Sequence, residues 1–275
     1  MPINFTLLAQ NSSDDYIKQA YLCALSIKAT NPDSKIALIT NDDCKYDIFD
    51  NIIEIPWGDD ASESQWKIEN RWKIYHITPY DNTIVLDTDM LVLDNIQHWW
   101  EALQHKKIFY TTNVLTYRGS PLASTYYRKL FVKNNLPNLY SGLHYFKKST
   151  EAHLFYQWLE IVMKNWKVFY EQYATGKVIQ EFPSVDVSAA IVAKILGWED
   201  TISSACAYPN FVHMKAHAQE WKSPSDSWQD SVSVSFNKSL NLKIGNYHQQ
   251  GIFHYTEKSF ATDKIIKIYE EYLGI

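Results

Sequence analysis

Residues 83–96 read TIVLDTDMLVLDNI, and this stretch decides how the rest of the chain is read. The apolar run 84–86 delivers Asp87 and Asp89 with only Thr88 between them, and a second apolar run, 90–93, follows at once. Two carboxylates inside a buried segment are costly unless something compensates their charge. A hard divalent cation with oxygen ligands does so. An extended backbone points residues i and i+2 to one side, so Asp87 and Asp89 are predicted to face one cation, directly or through water, with Thr88 pointing the other way. Acid pairs at this spacing also occur on solvated turns; the apolar flanks argue against that reading. Asp-x-Asp after a strand also marks aspartate-nucleophile phosphatases, but near the N-terminus, whereas several elements come first in this chain.

Those earlier elements set the class. Residues 3–8 read as a short buried strand ending in the polar turn Gln10-Asn11-Ser12. Ser12 and Asp15 have capping-box spacing. Tyr16, Ala20, Cys23, Ala24 and Ile27 then recur at helical spacing until Asn31-Pro32. Residues 35–40 and 52–55 are further strands, so the chain opens as strand–helix–strand, the start of a parallel α/β sheet. Ligands of such sheets bind at the carboxyl ends of strands. That edge holds Ala9, Gln10 and Asn11, Thr40-Asn41-Asp42, and the Asp87/Asp89 pair.

Further along, residues 63–77 are predicted helical, with Trp66, Ile68, Trp72, Tyr75 and Ile77 buried. Gln97–Leu103 reads as a short helix, 107–112 as a strand, 122–134 as a helix, and 139–147 as a strand interrupted at Gly142, where a glycine often marks a close approach. Residues 152–173 form one long aromatic-rich helix. Val185–Leu196 is a helix ending at Gly197, with Asp186 in its first turn, where a carboxylate suits the helix dipole. Residues 203–230 read as loop, 231–236, 242–245 and 251–255 as short strands, and 264–273 as a closing amphipathic helix. No repeat or linker divides the chain, so residues 1–275 are expected to form a single domain.

Composition narrows the partners. The 275 residues are 46% apolar, with a net charge of -5 and no long basic run. Binding to a nucleic acid backbone is therefore not expected, while a nucleotide-sized ligand needs only a few local donors. Aromatics reach 15%, enough to fill a core or to stack on sugars and bases. Cys23, Cys44 and Cys206 lack CxxC spacing and read as free thiols of a reducing compartment. The N-terminal residues MPINFTLLAQ lack the basic start and long apolar core of a signal peptide, and no integral membrane segment is apparent. The expected localisation is cytoplasmic.

Together these features resemble the GT-A-fold glycosyltransferases, most closely the retaining family 8 that contains glycogenin and bacterial lipopolysaccharide galactosyl- and glucosyltransferases. The likeness rests on the strand–helix–strand opening, on VLDTDMLVLDNI, on YSGLHYF (residues 140–146), similar to the family's Asn-Ser-Gly segment, and on FHYTEKSF (residues 253–260), similar to its His-…-Lys signature. It spans nearly the whole chain. The resemblance implies a GT-A, Rossmann-like α/β domain: a mostly parallel central sheet flanked by helices, residues 1–115 binding nucleotide, and a more irregular acceptor half at 116–275. It also implies a nucleotide-sugar-dependent hexosyltransferase moving a sugar from a UDP-sugar, with Mn²⁺ or Mg²⁺, to a glycan or other hydroxyl acceptor.

By resemblance, Asp89 is a direct metal ligand, Asp87 binds the metal, the donor ribose or both, and His254 is the third ligand, its imidazole favouring Mn²⁺. Lys258, four residues after His254, would reach the diphosphate. Arg71 stands where the family has a basic donor-binding residue, usually Lys, with Lys73 as the alternative. Ala9 and Asn11 match the uracil and ribose site, though an ordinary helix start explains them equally. Ser141-Gly142 matches the family segment and Asp186 the acid that contacts the transferred sugar. Asp186 and Lys258 are thus the catalytic candidates. Two positions depart: Tyr140 replaces a common Asn, and Val187 replaces the polar partner of Asp186. They leave open an inactive sugar-nucleotide or glycan binding protein, and also an inverting enzyme. Trp221 and Trp228 could form an acceptor wall or a core.

Overall fold

Short runs of Ile, Leu, Val and Phe bounded by polar turns make the centre of the structure, as strands buried on both faces do. β1 (Asn4–Leu8) is followed by α1 (Tyr16–Thr30), β2 (Lys35–Ile39) and β3 (Asn51–Ile53). A 3₁₀ turn at Arg71–Lys73 runs into α2 (Ile74–Ile77), then come β4 (Asn82–Leu86), β5 (Met90–Val92), α3 (Gln97–Leu103), β6 (Ile108–Thr111) and β7 (Val114–Leu115). The second half holds α4 (Lys129–Lys133), β8 (Tyr140–Lys147), α5 (Thr150–Lys164), α6 (Trp166–Tyr173), α7 (Val185–Leu196), β9 (Phe211–His213), β10 (Val234–Phe236), β11 (Leu242–Ile244), β12 (Tyr247–His248), β13 (Ile252–His254) and α8 (Asp263–Leu273). This computed structural model describes residues 2–64, 67–112, 114–122, 128–174, 182–203, 209–219, 221 and 227–275.

The main sheet has the order β3-β2-β1-β4-β8-β6. β3, β2, β1 and β4 run parallel, and β8 is antiparallel to both β4 and β6. Side chains alternate across it. Phe5, Leu7, Ile36, Leu38, Ile84 and Leu86 pack with α1 and α3, while Leu8, Ile39, Val85 and Phe146 pack with α5 and α7. A second sheet, β5-β13-β9-β7, lies beyond α1, whose residues Gln19 to Ile27 are all buried. A helix buried all round needs cover on every side. α1 has the main sheet on one face and Leu91, Ile265, Ile266 and Tyr269 against its Tyr21, Leu22 and Leu25 on another. β10, β11 and β12 form a small antiparallel meander.

The mostly parallel sheet flanked by helices agrees with the expected architecture, and several element bounds are corrected. The helix expected over 63–77 is only the short turn and α2. Lys67 has φ 52, outside the right-handed helix, and the Asn70 side chain bonds to Gln10 and Asp59. Trp66 lies outside the described residues; Trp72 and Tyr75 are buried as expected. The expected capping box is replaced by Asp15, whose own carboxylate accepts from the Lys18 N–H at 2.8 Å. The long helix of 152–173 is two, broken at Asn165, whose amide bonds back to the Ile161 carbonyl at 2.9 Å. Of the helix at 122–134, α4 is the described part; residues 123–127 lie outside the described set. Gly142 does not end β8, but its pairing with β6 is interrupted there: Tyr110 faces His144 and the next residue, Thr111, faces Tyr140, so residues 141–143 are passed over. Cys23 and Cys44 are free thiols; Cys206 is outside the described residues. Trp228 is core, fully buried with its indole N–H on the Tyr255 carbonyl, and Trp221 is partly buried against the same cluster.

One tie fixes the start of α7, and with it Asp186. The Tyr170 hydroxyl of α6 accepts from the Ser184 N–H at 2.8 Å and donates to the Ser184 carbonyl at 3.0 Å. Tyr170→Phe leaves the Ser184 N–H unpaired, while the Ser184 carbonyl keeps the Ser188 N–H at 2.9 Å, so urea denaturation is expected to show a loss of about 1–3 kcal/mol; an unchanged midpoint would contradict this role.

Candidate functional site

The chain leaves the main sheet at Leu86 and enters the second sheet at Met90, so Asp87-Thr88-Asp89 is the joint between two sheets. Thr88 and Asp89 form a turn. The two carboxylates converge through that turn rather than through an extended strand, and Thr88, expected to point away, also borders the cleft. β13 pairs antiparallel with β5 and places His254 opposite Met90. The ladder continues one step further, with the Tyr255 N–H donating to the Asp89 carbonyl at 3.1 Å. Strand register therefore sets His254 beside Asp89. One ligand-capable atom each from Asp87, Asp89 and His254 lie within 4.8 Å of one another.

Asp89 is 7% exposed and has two basic neighbours, His254 and Lys258. His254 Nε2 is 3.1 Å from Oδ1 and Lys258 Nζ is 2.6 Å from Oδ2. Lys258 lies 169 residues from Asp89 in sequence. It reaches back because the chain turns at Thr256, a β-branched residue at φ 60, before a 3₁₀ turn at Lys258–Phe260. Such a conformation is strained for threonine. Burial alone would push the Asp89 carboxyl up. The charges of His254 and Lys258, and their hydrogen bonds, outweigh it and hold Asp89 well below the usual carboxylate range. Burial would lower the Lys258 ammonium, but Asp89 keeps it above its ordinary value. The ammonium also sits 5.1 Å from the centre of the Tyr16 ring.

Asp87 has its own cation: Arg71 Nη2 lies 2.5 Å from Asp87 Oδ1. The alignment is poor, since Asp87 Oδ1 and Arg71 Nε are both buried without a hydrogen-bond partner. Unpaired groups of this kind are what a bound ligand or ion satisfies. Lys73, the alternative to Arg71, points away from the cleft and is fully buried, with Nζ on the Gly58 carbonyl at 2.6 Å. Gly142 supports Asp87 from behind: its carbonyl accepts from the Asp87 N–H at 2.9 Å. A Cβ at Gly142 would lie 2.8 Å from both Asp87 Oδ2 and Met90 Cε.

Asp186 stands at the start of α7, capped by Ser184, and is held from two sides. Ser141 donates to its Oδ1 through the backbone N–H at 2.8 Å and the hydroxyl at 2.5 Å, and Arg128 Nη1 reaches Oδ2 at 2.6 Å. Burial would raise this carboxyl; Arg128 and Ser141 outweigh it and lower it. Arg128 is placed by Asn138 and the Leu139 carbonyl and stacks 3.9 Å from the Tyr140 ring centre. Tyr140, where the resembled family often has Asn, is thus a platform for Arg128. Val187 is buried in the core.

The cleft beside Asp87 and Asp89 encloses about 280 Å³ and is lined by Gln10, Tyr16, Arg71, Asp87, Asp89 and Lys258, among others; Asp186, Ser141 and Arg128 do not line it. A larger groove, of about 640 Å³, lies by Tyr46 and Leu273. Among the described residues only Asp87, Asp89 and His254 form a metal-capable group, and it belongs to the smaller cleft. Of the candidates at the end of β1, Ala9 is buried with its N–H on the Ile39 carbonyl at 3.0 Å. Asn11 is exposed and its side chain accepts from the Ile17 N–H at 3.1 Å, next to the helix start. Between them Gln10, not Ala9 or Asn11, lines the cleft, held by Asn70 at 2.7 Å and Asp59 at 2.9 Å.

Sequence reading placed Gln10 at the ligand edge but missed its Asn70–Asp59 support, and it missed Arg128, His213 and Thr256. Arg128 and His213 belong to no motif and become visible only through pairing of distant elements. His213 Nδ1 lies 3.2 Å from His254 Nδ1, and burial, above all, pushes the His213 ring well below its ordinary value.

No family model matches this chain, and no curated protein matches it either. Solved structures do. A galactosyltransferase, LgtC, in complex with donor and acceptor sugar analogues, superposes with a TM-score of 0.55 at 14% identity, covering 98% of this chain and 96% of that one. The glycosyltransferase GlyE of Streptococcus pneumoniae gives 0.53 at 13% identity, covering 100% of this chain and 63% of the other. Mouse xyloside xylosyltransferase 1 gives 0.51 at 10% identity, covering 93% and 98%. The chain has the GT-A fold of these enzymes.

Two outcomes follow from the geometry. Gly142→Ala is expected to destabilise the protein by about 1–3 kcal/mol in urea denaturation, because Asp87 and Met90 must yield to the added methyl; a stability equal to wild type would contradict the tight approach. The lowered Asp186 carboxyl contributes stability that is present above its unfolded value of about 3.9 and is lost as pH falls through the folded value. The stability gap between wild type and Asp186→Asn should therefore narrow in acid; a gap constant from pH 7 to pH 2 would show that Arg128 and Ser141 do not act on its charge.

Proposed function

We propose that this chain is a metal-dependent glycosyltransferase that moves a sugar from a nucleoside diphosphate donor, UDP-linked by resemblance, to an acceptor hydroxyl with retention at the anomeric carbon. The observation that carries the proposal is the meeting of Asp87, Asp89 and His254, from distant parts of the sequence, in a cleft that also holds Arg71 and Lys258. The GT-A fold of the solved neighbours supports it.

The donor set of two carboxylates and one imidazole suits Mn²⁺, and Mg²⁺ less well. Asp87 Oδ1, which has the Arg71 ion pair but no well-aligned hydrogen bond, fits such an ion. A divalent ion bound by these three residues would neutralise charge on a diphosphate leaving group. Lys258 and Arg71 neutralise the two carboxylates in the structure described above. With an ion held by Asp87, Asp89 and His254, Arg71 and Lys258 would be free to bind phosphate oxygens, Arg71 as a planar fork and Lys258 as a point charge. At about 280 Å³ the cleft is just below the range of about 300–1,000 Å³ for small-molecule sites, and swinging these two side chains outward would widen it. Asp186, kept ionised by Arg128 and fixed by Ser141, would accept hydrogen bonds from hydroxyls of the transferred sugar and orient its anomeric carbon. Gln10 would face the nucleoside side of the cleft.

Among the described residues no helix is long and apolar enough to cross a membrane. The acceptor is proposed to be a glycan or other hydroxyl compound that binds beside the second half of the chain.

Calorimetry of UDP binding with Mn²⁺ tests the site. Asp89→Ala is expected to abolish turnover and to weaken Mn²⁺-dependent UDP binding at least about tenfold, a loss of roughly 1.4 kcal/mol or more; unchanged affinity would end the assignment. The anomeric proton signal of the product should report the donor's configuration. Donor binding with neither transfer nor hydrolysis would instead favour a binding protein, in line with Tyr140 and Val187.

A further inference from the structure

β9 and β13 run parallel with His213 opposite His254, and their rings meet in the interior. Nδ1 of His213 lies 3.2 Å from Nδ1 of His254, with the residues 3% and 9% exposed. Phe211 packs against both rings and Tyr140 sets its edge against His213, so both imidazoles are hemmed in. The His213 backbone carbonyl is held by the Gln219 amide. The opposite nitrogen of His254, Nε2, lies 3.1 Å from Asp89 Oδ1.

Two neutral imidazole nitrogens at this distance share one hydrogen, with one ring donating and the other accepting. His254 then has two arrangements. With its hydrogen on Nε2 it donates to Asp89, and its Nδ1 accepts from His213. With its hydrogen on Nδ1 it donates to His213, and Nε2 presents a lone pair toward Asp87 and Asp89. Only the second can bind a cation through Nε2.

We propose that His213 is a positioning residue: it accepts the Nδ1 hydrogen of His254 and thereby holds the Nε2 lone pair of His254 at the point shared with Asp87 and Asp89. His213 carries its own hydrogen on Nε2 in this arrangement, so the number of protons on the pair is the same in both. A histidine ligand usually gives its second N–H to a carboxylate, a carbonyl or water. Carboxylates and carbonyls only accept. His213 can also donate, so one pair serves Asp89 when no ion is bound and the ion when it is. The inference rests on reading Asp87, Asp89 and His254 as a metal site.

The test is Mn²⁺ binding without nucleotide, followed by electron paramagnetic resonance of the free ion, in wild type, His213→Phe and His213→Asn, with melting curves to verify folding. His213→Phe keeps a planar ring but offers no acceptor, and is expected to bind Mn²⁺ about 10–100-fold more weakly. His213→Asn places an acceptor oxygen near the position of Nδ1 and is expected to recover most of the affinity. Ring ¹⁵N spectra of the wild type with diamagnetic Mg²⁺ should show His254 protonated at Nδ1 and not at Nε2. Failure of the wild type to bind either ion overturns the metal site itself. Binding by the wild type with equal affinity in a folded His213→Phe overturns the role of His213 alone. If His213→Phe does not fold, the ring spectra decide: an unprotonated His254 Nδ1 in the ion-bound wild type overturns the inference.

Discussion

A buried carboxylate needs a counter-charge, and Asp89 is the carboxylate on which this structure turns. Its oxygens are divided between His254 and Lys258, which belong to the far end of the chain. Taking Asp89 out of water costs several kcal/mol, and breaking a buried pair by removing one partner leaves that cost uncompensated. The fold therefore has to deliver β13 to the Asp89 turn. It does so through the antiparallel pairing of β5 with β13, one residue beyond the turn.

The same joint explains why two sheets are present. The main sheet ends β4 at Leu86, and the second begins β5 at Met90. α1 is clamped between the two layers, which accounts for its burial on all sides. Gly142, Ser141 and Asp186 support the joint from the β8 side, His213 and His254 from the β9–β13 side. Each carboxylate thus has a cation close by: Arg71 for Asp87, Lys258 for Asp89 and Arg128 for Asp186. A site arranged this way stays charged and desolvated before any ligand arrives, which is what electrostatic stabilisation of a departing anion requires.

The parts of this arrangement that were legible in sequence are those with local signals. Buried strands show as apolar runs, so the opening β1–α1–β2 unit and the strand before Asp87 were readable within a residue or two. α7 was readable at both ends, from Asp186 in its first turn to the left-handed Gly197. Residues 63–77 were misread because apolar spacing there satisfies a helix, while Lys67 and the Asn70 network take the backbone elsewhere. Tertiary hydrogen bonds outweighed local periodicity at that point. Arg128 and His213 carried no local signal, since their meaning lies in a partner 58 residues away for Arg128 and 41 for His213. Asp87, Asp89, His254 and Lys258 could be joined only because a resemblance linked two distant motifs; neither motif alone specifies the contact.

The central claim is that these distant residues share one cation. A crystal of the protein grown with Mn²⁺ and UDP, measured at the manganese absorption edge, tests it directly. The account predicts one anomalous peak within coordination distance of Asp87, Asp89 and His254, with Lys258 released from Asp89. A peak elsewhere, or no peak while Lys258 still holds Asp89 in a UDP-bound crystal, would contradict it.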